Sequence, residues 1–366
     1  MTKIKDVINH LESVAPPVYQ ESYDNAGLIT GDASQEVKGV MISLDATEEI
    51  VEEAMRKGCN LVVAHHPIVF RGLKRLTGRN YVERTVIKAI KNDMAIYAIH
   101  TNLDNVLPGV NRKISEMIGL QDPQILLPKA QTLSKLVVFV PRENAETLLN
   151  ALSEAGAGNI GNYKNCSFQV AGEGTFQPNE FANPTIGERG RLEKVEEQRI
   201  EVIFPAYLSG RVLSAMREAH PYEEVAYYLQ ALENANQEVG SGMIGTLAEA
   251  MEASQFLAHL KASMGLNCIR HTQAPARKIQ RVAVCGGAGS FLLPHAIRCQ
   301  ADVLVTADFK YHEFFDAEDH LMIADIGHYE SEVFTKDLIM ELLSQKFVSF
   351  AVHLAETNTN PVFYYK

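Results

Sequence analysis

Cysteine is scarce in this sequence and poorly placed for pairing: Cys59, Cys166, Cys268, Cys285 and Cys299 are odd in number, widely scattered and never at CxxC spacing. A disulfide-stapled scaffold and a thiolate-rich metal site are thereby excluded, and a reducing compartment is expected. Positive charge is also short, with 34 Lys and Arg against 45 Asp and Glu and a formal charge of −11. Nucleic-acid binding is driven by counterion release from a basic face, so nucleic acid is not an expected partner. The densest basic run, Arg71, Lys74, Arg75, Arg79, Arg84 and Lys88, reads as a solvated loop and helix face. Long apolar runs are missing as well. No segment reaches the roughly 18 residues needed to span a bilayer, and the opening residues lack a signal-peptide core. A cytoplasmic protein with no membrane partner is expected.

What is present is the balance of a globular protein, 46% hydrophobic and 22% charged over 366 residues, enough for two or three domains with cores of their own. Residues 39–44, 61–64 and 95–99 are nearly all apolar, as strands covered on both faces should be. Helical-period segments at 47–57 and 82–92 separate them. The last third repeats the scheme with apolar runs at 282–284, 303–305 and 321–324, a helix around 331–345 and a terminal strand at 348–352. The expected fold class is α/β, a duplicated three-layer α/β/α core with mixed, largely parallel sheets.

Between these stretches the rhythm changes. Strands at 136–140, 167–175, 200–204 and 225–229 and helices at 145–155 and 208–219 give the order βαββαβ of a ferredoxin-like module. Residues 176–198, rich in Gly, Pro, Asn and charge, form the long connection of its hairpin. The expected boundaries are 1–130 for the first half of the core, 131–235 for an inserted domain and 236–366 for the second half.

The most informative feature is where His and acidic residues fall. Asp45 follows the first apolar run, His65 and His66 the second, and His100 and Asp104 the third; Asp308 with His312, and His328 with Glu332, follow runs in the last third. Carboxyl ends of parallel strands line the crevice in which open α/β sheets bind ligands, so these side chains are expected to converge. Pro67 takes the His65-His66 pair out of a strand ladder and lets both rings face one cavity. His328 and Glu332 stand at i and i+4 on one helical face. Imidazole with carboxylate suits zinc, iron, manganese or nickel, and three His with two acids exceed the four ligands of a structural zinc. Two ions roughly 3.5–4 Å apart would use them all.

The segments 21–28 (ESYDNAGL), 64–67 (AHHP), 100–104 (HTNLD), 306–308 (TAD) and 327–332 (GHYESE) together resemble the signature of the NIF-three-like family, whose members are often labelled GTP cyclohydrolase type 2 homologues. The resemblance covers roughly residues 1–130 and 240–366. It implies a dinuclear divalent-metal site, zinc first among the candidates, carried by His65, His66, Asp104, His328 and Glu332, inside a toroidal homohexamer. It also implies that the inserted domain is similar to PII and CutA proteins. Tyr23 stands where the family often has Trp, and Ala307 where it often has Gly; neither is a ligand position.

The other features are less specific. Gly286 to Gly289 follows a strand and precedes a helix, where Gly287 and Gly289 can either present N–H groups to an anion or serve the turn. Asn25 is a candidate substrate contact, and Asp308 or His312 a candidate proton shuttle. His220 with Glu223 and Glu224 reads as a surface turn. The sequence contains no Walker-type phosphate loop and no GxSxG elbow. The leading expectation is a metal-dependent hydrolase acting on a nucleotide, a phosphoester or a cyclic amide, in the manner of a GTP cyclohydrolase. The rival is a metal- or nucleotide-responsive regulatory protein with a PII-like sensor module.

Overall fold

The structure is a computed structural model and describes residues 1–365. The chain divides into two units, the first made of Met1–Leu127 with Val239–Lys366 and the second of Pro128–Glu238.

The first unit is mixed α/β and holds two sheets. One has five strands in the order Gly27–Thr30, Ala95–Ala98, Leu61–Ala64, Gly39–Ser43 and Ala351–Leu354, all parallel except the antiparallel first strand. Its three central strands are buried along their whole length, which is why they read as unbroken apolar runs. The other sheet has six strands in the order Arg270–His271, Met322–Asp325, Val303–Ala307, Ile279–Ala288, Asn236–Met251 and Gln121–Lys129. Its parallel centre is formed by the strands Ile279–Ala288, Val303–Ala307 and Met322–Asp325.

Helices cover these sheets through apolar stripes. In Ile4–Val14 the buried residues are Ile4, Val7, Ile8 and Leu11, the i, i+3, i+4, i+7 spacing of one face. Glu48–Arg56 starts where the Thr47 side chain accepts from the Ile50 N–H, and Tyr81–Lys91 where Asn80 accepts from the Glu83 N–H. Arg84 and Lys88 of the basic run are spent on Glu48 and Glu52.

In the first unit two expectations need correction, and one strand goes unforeseen. The terminal strand lies at Ala351–Leu354 instead of 348–352, because its pairing is set by Gly39–Ser43 on the neighbouring strand. The helix expected around 331–345 is two helices, His328–Glu332 and Thr335–Lys346. The sixteen-residue strand Asn236–Met251 carries Gly240, Gly242 and Gly245, which weaken any strand reading of the sequence. At Gly245 the glycine has a structural reason, since a Cβ would come within 3.0 Å of the Gln121 carbonyl.

The second unit has the element order strand Leu133–Pro141, helix Ala145–Glu154, strands Phe168–Phe176 and Glu193–Pro205, helix Ser209–Ala219 and strand Tyr227–Leu232. All neighbours in its sheet are antiparallel, in the order 168–176, 193–205, 133–141, 227–232. Both helices pack on one face, where Leu148, Leu152, Val212 and Met216 meet Leu136, Val138, Val140, Ile200, Val202 and Phe204. The hairpin connection is shorter than 176–198: the strand begins at Glu193, opposite Phe176, because cross-strand pairing carries its charged first half.

The chain's C-terminal segment is tied down by one buried acid. Glu53 accepts from the backbone N–H groups of Glu356 and Thr357 at 2.9 and 3.0 Å, from the Thr357 hydroxyl at 2.6 Å and from Lys57 at 3.0 Å. Burial opposes its charge, but these donors prevail and hold its carboxyl down at about 2. A carboxyl lowered on folding stabilises the fold above its unfolded pKa of roughly 4.5 and loses that contribution as pH falls toward 2. Glu53→Gln is therefore expected to cost about 1–2 kcal/mol at neutral pH, with the difference from wild type shrinking near pH 3; urea denaturation at both pH values measures it.

Candidate metal centre

The ends of five strands of the first unit bring the site together. His65 and His66 directly follow Leu61–Ala64, and their N–H groups still donate to the carbonyls of Ser43 and Leu44 on the adjacent strand. Asp104 ends the short helix Thr101–Asp104 that follows Ala95–Ala98. His328 and Glu332 begin and end the five-residue helix beyond Met322–Asp325. Asp45 follows Gly39–Ser43, and Asp308 follows Val303–Ala307.

Glu332, 2% exposed, lies at the centre. Its Oε2 is 2.9 Å from His66 Nε2 and 3.0 Å from His328 Nε2, while its Oε1 faces His65 Nε2 at 3.9 Å. His65 Nε2 is also 3.6 Å from Asp104 Oδ1. Neither of these two buried atoms makes a hydrogen bond, although buried polar atoms normally do. Among the described residues, three groups of side chains offer donor atoms close enough to hold a metal: His66, His328 and Glu332; His65, Asp104 and Glu332; and His65, His66 and His100. The unpaired His65 nitrogen and Asp104 oxygen point toward each other across a gap that a cation would fill, so the donor set fits a divalent metal.

Each imidazole is aimed by a partner on its other nitrogen. His65 Nδ1 is 2.8 Å from the Ile99 carbonyl and so carries the proton, leaving Nε2 as a lone pair. His66 Nδ1 is 2.7 Å from Asp45, whose other oxygen accepts from Thr359 at 2.5 Å. His328 Nδ1 is 2.6 Å from Asp308, and His100 Nδ1 is 2.8 Å from Asp24. A carboxylate or carbonyl behind a histidine fixes its tautomer and raises its basicity as a ligand.

These contacts set the charges. Burial pushes the His65 imidazolium down to about 4, so the ring is neutral. Burial also opposes charge on His66 and His328, but carboxylates on both sides of each ring prevail and hold them up at about 10 and about 9. Burial would raise Glu332, yet the imidazoles around it keep it well below the usual carboxylate range. Asp104 is pushed well up, first by burial and then by the Glu332 charge. Burial likewise opposes charge on Asp24, and hydrogen bonds from His100 and Thr101 bring it down to about 2. The cluster thus concentrates negative charge that only protons or a cation can balance.

The Duf34/NIF3 (NGG1p interacting factor 3) family profile matches residues 2–361. The chain belongs to the Duf34/NIF3 family. This NIF3-family chain is 38% identical over 362 residues to the "GTP cyclohydrolase 1 type 2 homolog" of Bacillus subtilis (strain 168), covering 98% of this chain and 97% of that one. It is 39% identical over 360 residues to the protein of the same name from Halalkalibacterium halodurans, covering 97% of each. Among solved structures, a Bacillus cereus protein related to NIF3 is similar with a TM-score of 0.87 and 40% identity, covering 100% of this chain and 99% of that one. The Staphylococcus aureus protein SA1388 is similar with a TM-score of 0.79 and 29% identity, covering 100% and 99%.

The five residues that the NIF3 resemblance implied as ligands stand together in the cluster. The other expected site residues are placed differently. Asp308 reaches the cluster through His328 Nδ1, at 2.6 Å. His312 is exposed, its ring set against Tyr311 and Phe315, and among the described residues no hydrogen bond or ring contact joins it to the cluster. Asn25 is exposed and donates to the Val69 carbonyl at 2.6 Å. The Gly286 and Gly287 N–H groups are spent on Asn111 and Ser331, both at 2.9 Å.

Gly287 serves approach: at φ +61° it lies so close to Glu332 that a Cβ would collide with Oε1. Gly289 abuts Thr306 and Cys285 in the same way. The sequence marks Asp45 and His100 only by their place directly after an apolar run, and it reads Asp24 with Asn25 as a substrate contact or a helix cap; the structure sets Asp45 behind His66 and Asp24 behind His100. Gly287→Ala is expected to displace the Glu332 carboxylate and destabilise the protein by about 1–3 kcal/mol. The midpoint of chemical denaturation measures this.

Proposed function

We propose that the cluster holds two divalent metal ions, zinc first among them with iron, manganese or nickel as alternatives, and that the protein is a metal-dependent hydrolase. The observation that carries this reading is the placement of Glu332 between two donor groups: Oε2 with His66 and His328, Oε1 with His65 and the otherwise unpaired Asp104. A carboxylate shared in this way suits a bridging ligand. Divalent cations supply Lewis acidity and lower the pKa of a bound water.

The chain's own residues do the rest. His65 offers a neutral Nε2 as it stands, His66 and His328 would do so on losing a proton, and Ile99, Asp45 and Asp308 keep the rings aimed. His100, backed by Asp24 and ringed by His65, His66 and Phe70, stands beside the ligands with a polar edge available to a substrate. The relatives' name, GTP cyclohydrolase 1 type 2 homolog, suggests guanine-ring hydrolysis as the first substrate class to test, with phosphoesters and other nucleotides next.

The proposal extends to the rest of the chain. The two parallel-centred sheets of the first unit are read as a duplicated three-layer core, and the βαββαβ order of the second as an inserted ferredoxin-like, PII/CutA-like domain. The assembly is read as a toroidal homohexamer and the compartment as the cytosol, which the five free cysteines support. One observation favours the regulatory alternative as well: the second unit carries a cavity of its own.

Elemental analysis after reconstitution is the first test. Wild type is expected to retain two ions per chain, Glu332→Gln and His66→Ala no more than one, and turnover of GTP or a generic phosphoester should fall with metal content. Unchanged metal content in both variants overturns the reading. Asp308→Asn, which keeps the shape but weakens the partner behind His328, is expected to lower metal affinity about tenfold; competition with a chelating dye measures that loss.

A further inference from the structure

The second unit contains a cavity of about 630 Å³, within the range of small-molecule sites. It lies on the sheet face that the helices leave uncovered. The alternation that sends Leu136, Val138, Ile200 and Val202 into the helical core turns Phe139, Val170, Gly172, Glu197, Arg199 and Tyr228 the other way. The roof comes from the connection after Phe176 and from the turn after His220. It is tied down where Glu223 accepts from the Asn183 N–H at 2.7 Å and the Thr185 hydroxyl donates to the Pro221 carbonyl at 2.7 Å.

Two glycines make the depth. Gly172 pairs with Glu197 across the strands, and a Cβ at Gly172 would meet nothing within 4 Å. Gly174 lies directly against the Glu197 carboxylate, where a Cβ would collide with it. The floor is therefore open backbone beside an acid. Around it stand two aromatic pairs: Phe139 with Tyr228, centroids 5.6 Å apart at 81°, and Phe176 with Tyr222, 5.9 Å apart at 58°. The Tyr222 hydroxyl donates to Glu197 at 3.1 Å and holds that carboxylate in place.

We infer that this cavity binds a small organic cation, an amine or quaternary ammonium carried on an apolar ring or chain. Aromatic faces attract cations, and the lining brings Glu197, Glu223 and Glu224 against a single Arg199, itself paired with Glu201 at 2.8 Å, while Glu173 is spent on Lys194 at 2.8 Å. This excess of negative charge selects against the phosphates of a nucleotide. The inference stands apart from the metal reading, since no residue of the cavity belongs to the His and acid cluster.

Calorimetric titration of the full-length protein with benzyltrimethylammonium, and separately with phenyl phosphate, tests it. Saturable binding of the cation and none of the anion is expected. Glu197→Gln should weaken the cation about tenfold. Gly172→Leu, which adds a side chain into the void without a Cβ clash, should abolish binding with the circular dichroism spectrum unchanged. Absence of cation binding to wild type, equal binding of both probes, or full affinity in Glu197→Gln overturns the inference. So does a Gly172→Leu variant that leaves affinity intact, or one that changes only the sedimentation coefficient of a wild type that binds neither probe, which would mark this face as a contact between copies of the chain.

Discussion

A carboxylate almost out of reach of water, approached by imidazoles from opposite ends of the chain, is the constraint around which the first unit is built. Glu332 and His66 are 266 residues apart in sequence and 2.9 Å apart in space. Burying an ionised carboxylate costs several kcal/mol unless partners compensate it. Here His66 and His328 compensate one oxygen, while the other faces His65 at 3.9 Å, and the His65 nitrogen and the Asp104 oxygen beside it make no hydrogen bond. Such an arrangement is costly for a structural network and sensible for a ligand set, because a cation supplies the missing charge and the missing contacts in one step.

The fold meets this constraint by ending strands where these side chains are needed. Parallel strands deliver their carboxyl ends to one edge, so His65, Asp104 and Glu332 need no long loops to meet. The glycine loop after Ile279–Ala288 then clears the remaining space, with Gly287 adopting a left-handed conformation against the carboxylate. Asn111 and Ser331 hold that loop by its N–H groups. The loop resembles an anion cradle in sequence, but the Gly286 and Gly287 N–H groups are committed to the protein, and at Gly287 what counts is the missing Cβ.

Much of this was legible in the sequence, for physical reasons. Strands buried on both faces have no polar periodicity to confuse them, so 39–44, 61–64 and 95–99 stood out, and the histidines directly after them were conspicuous. What stayed hidden was set by long-range pairing. Nothing local distinguishes Asp45, which aims His66, from any acid after a strand. The glycine-bearing strand Asn236–Met251 exists because its neighbours Ile279–Ala288 and Gln121–Lys129 supply hydrogen bonds that its own composition would not predict. His312 stands apart from the cluster because following a strand in sequence does not fix direction. Asp308 adopts φ +60°, and the segment after it, Tyr311–Ala317, is a short 3-10 helix whose aromatic residues gather on themselves.

The C-terminal segment links stability to the site. Ala351–Leu354 adds a parallel strand beside Gly39–Ser43, and Glu53 then clamps the backbone at Glu356 and Thr357. Two residues further on, Thr359 donates to Asp45, the carboxylate behind His66. Asn360 continues the pattern by donating to Glu330, on the same short helix as His328 and Glu332. The chain end thus touches the partner of one imidazole and the helix that carries another. A segment that looks like a trailing tail in sequence therefore restrains the Asp45 carboxylate behind His66 and the helix that carries His328 and Glu332, and the acid that anchors it is Glu53.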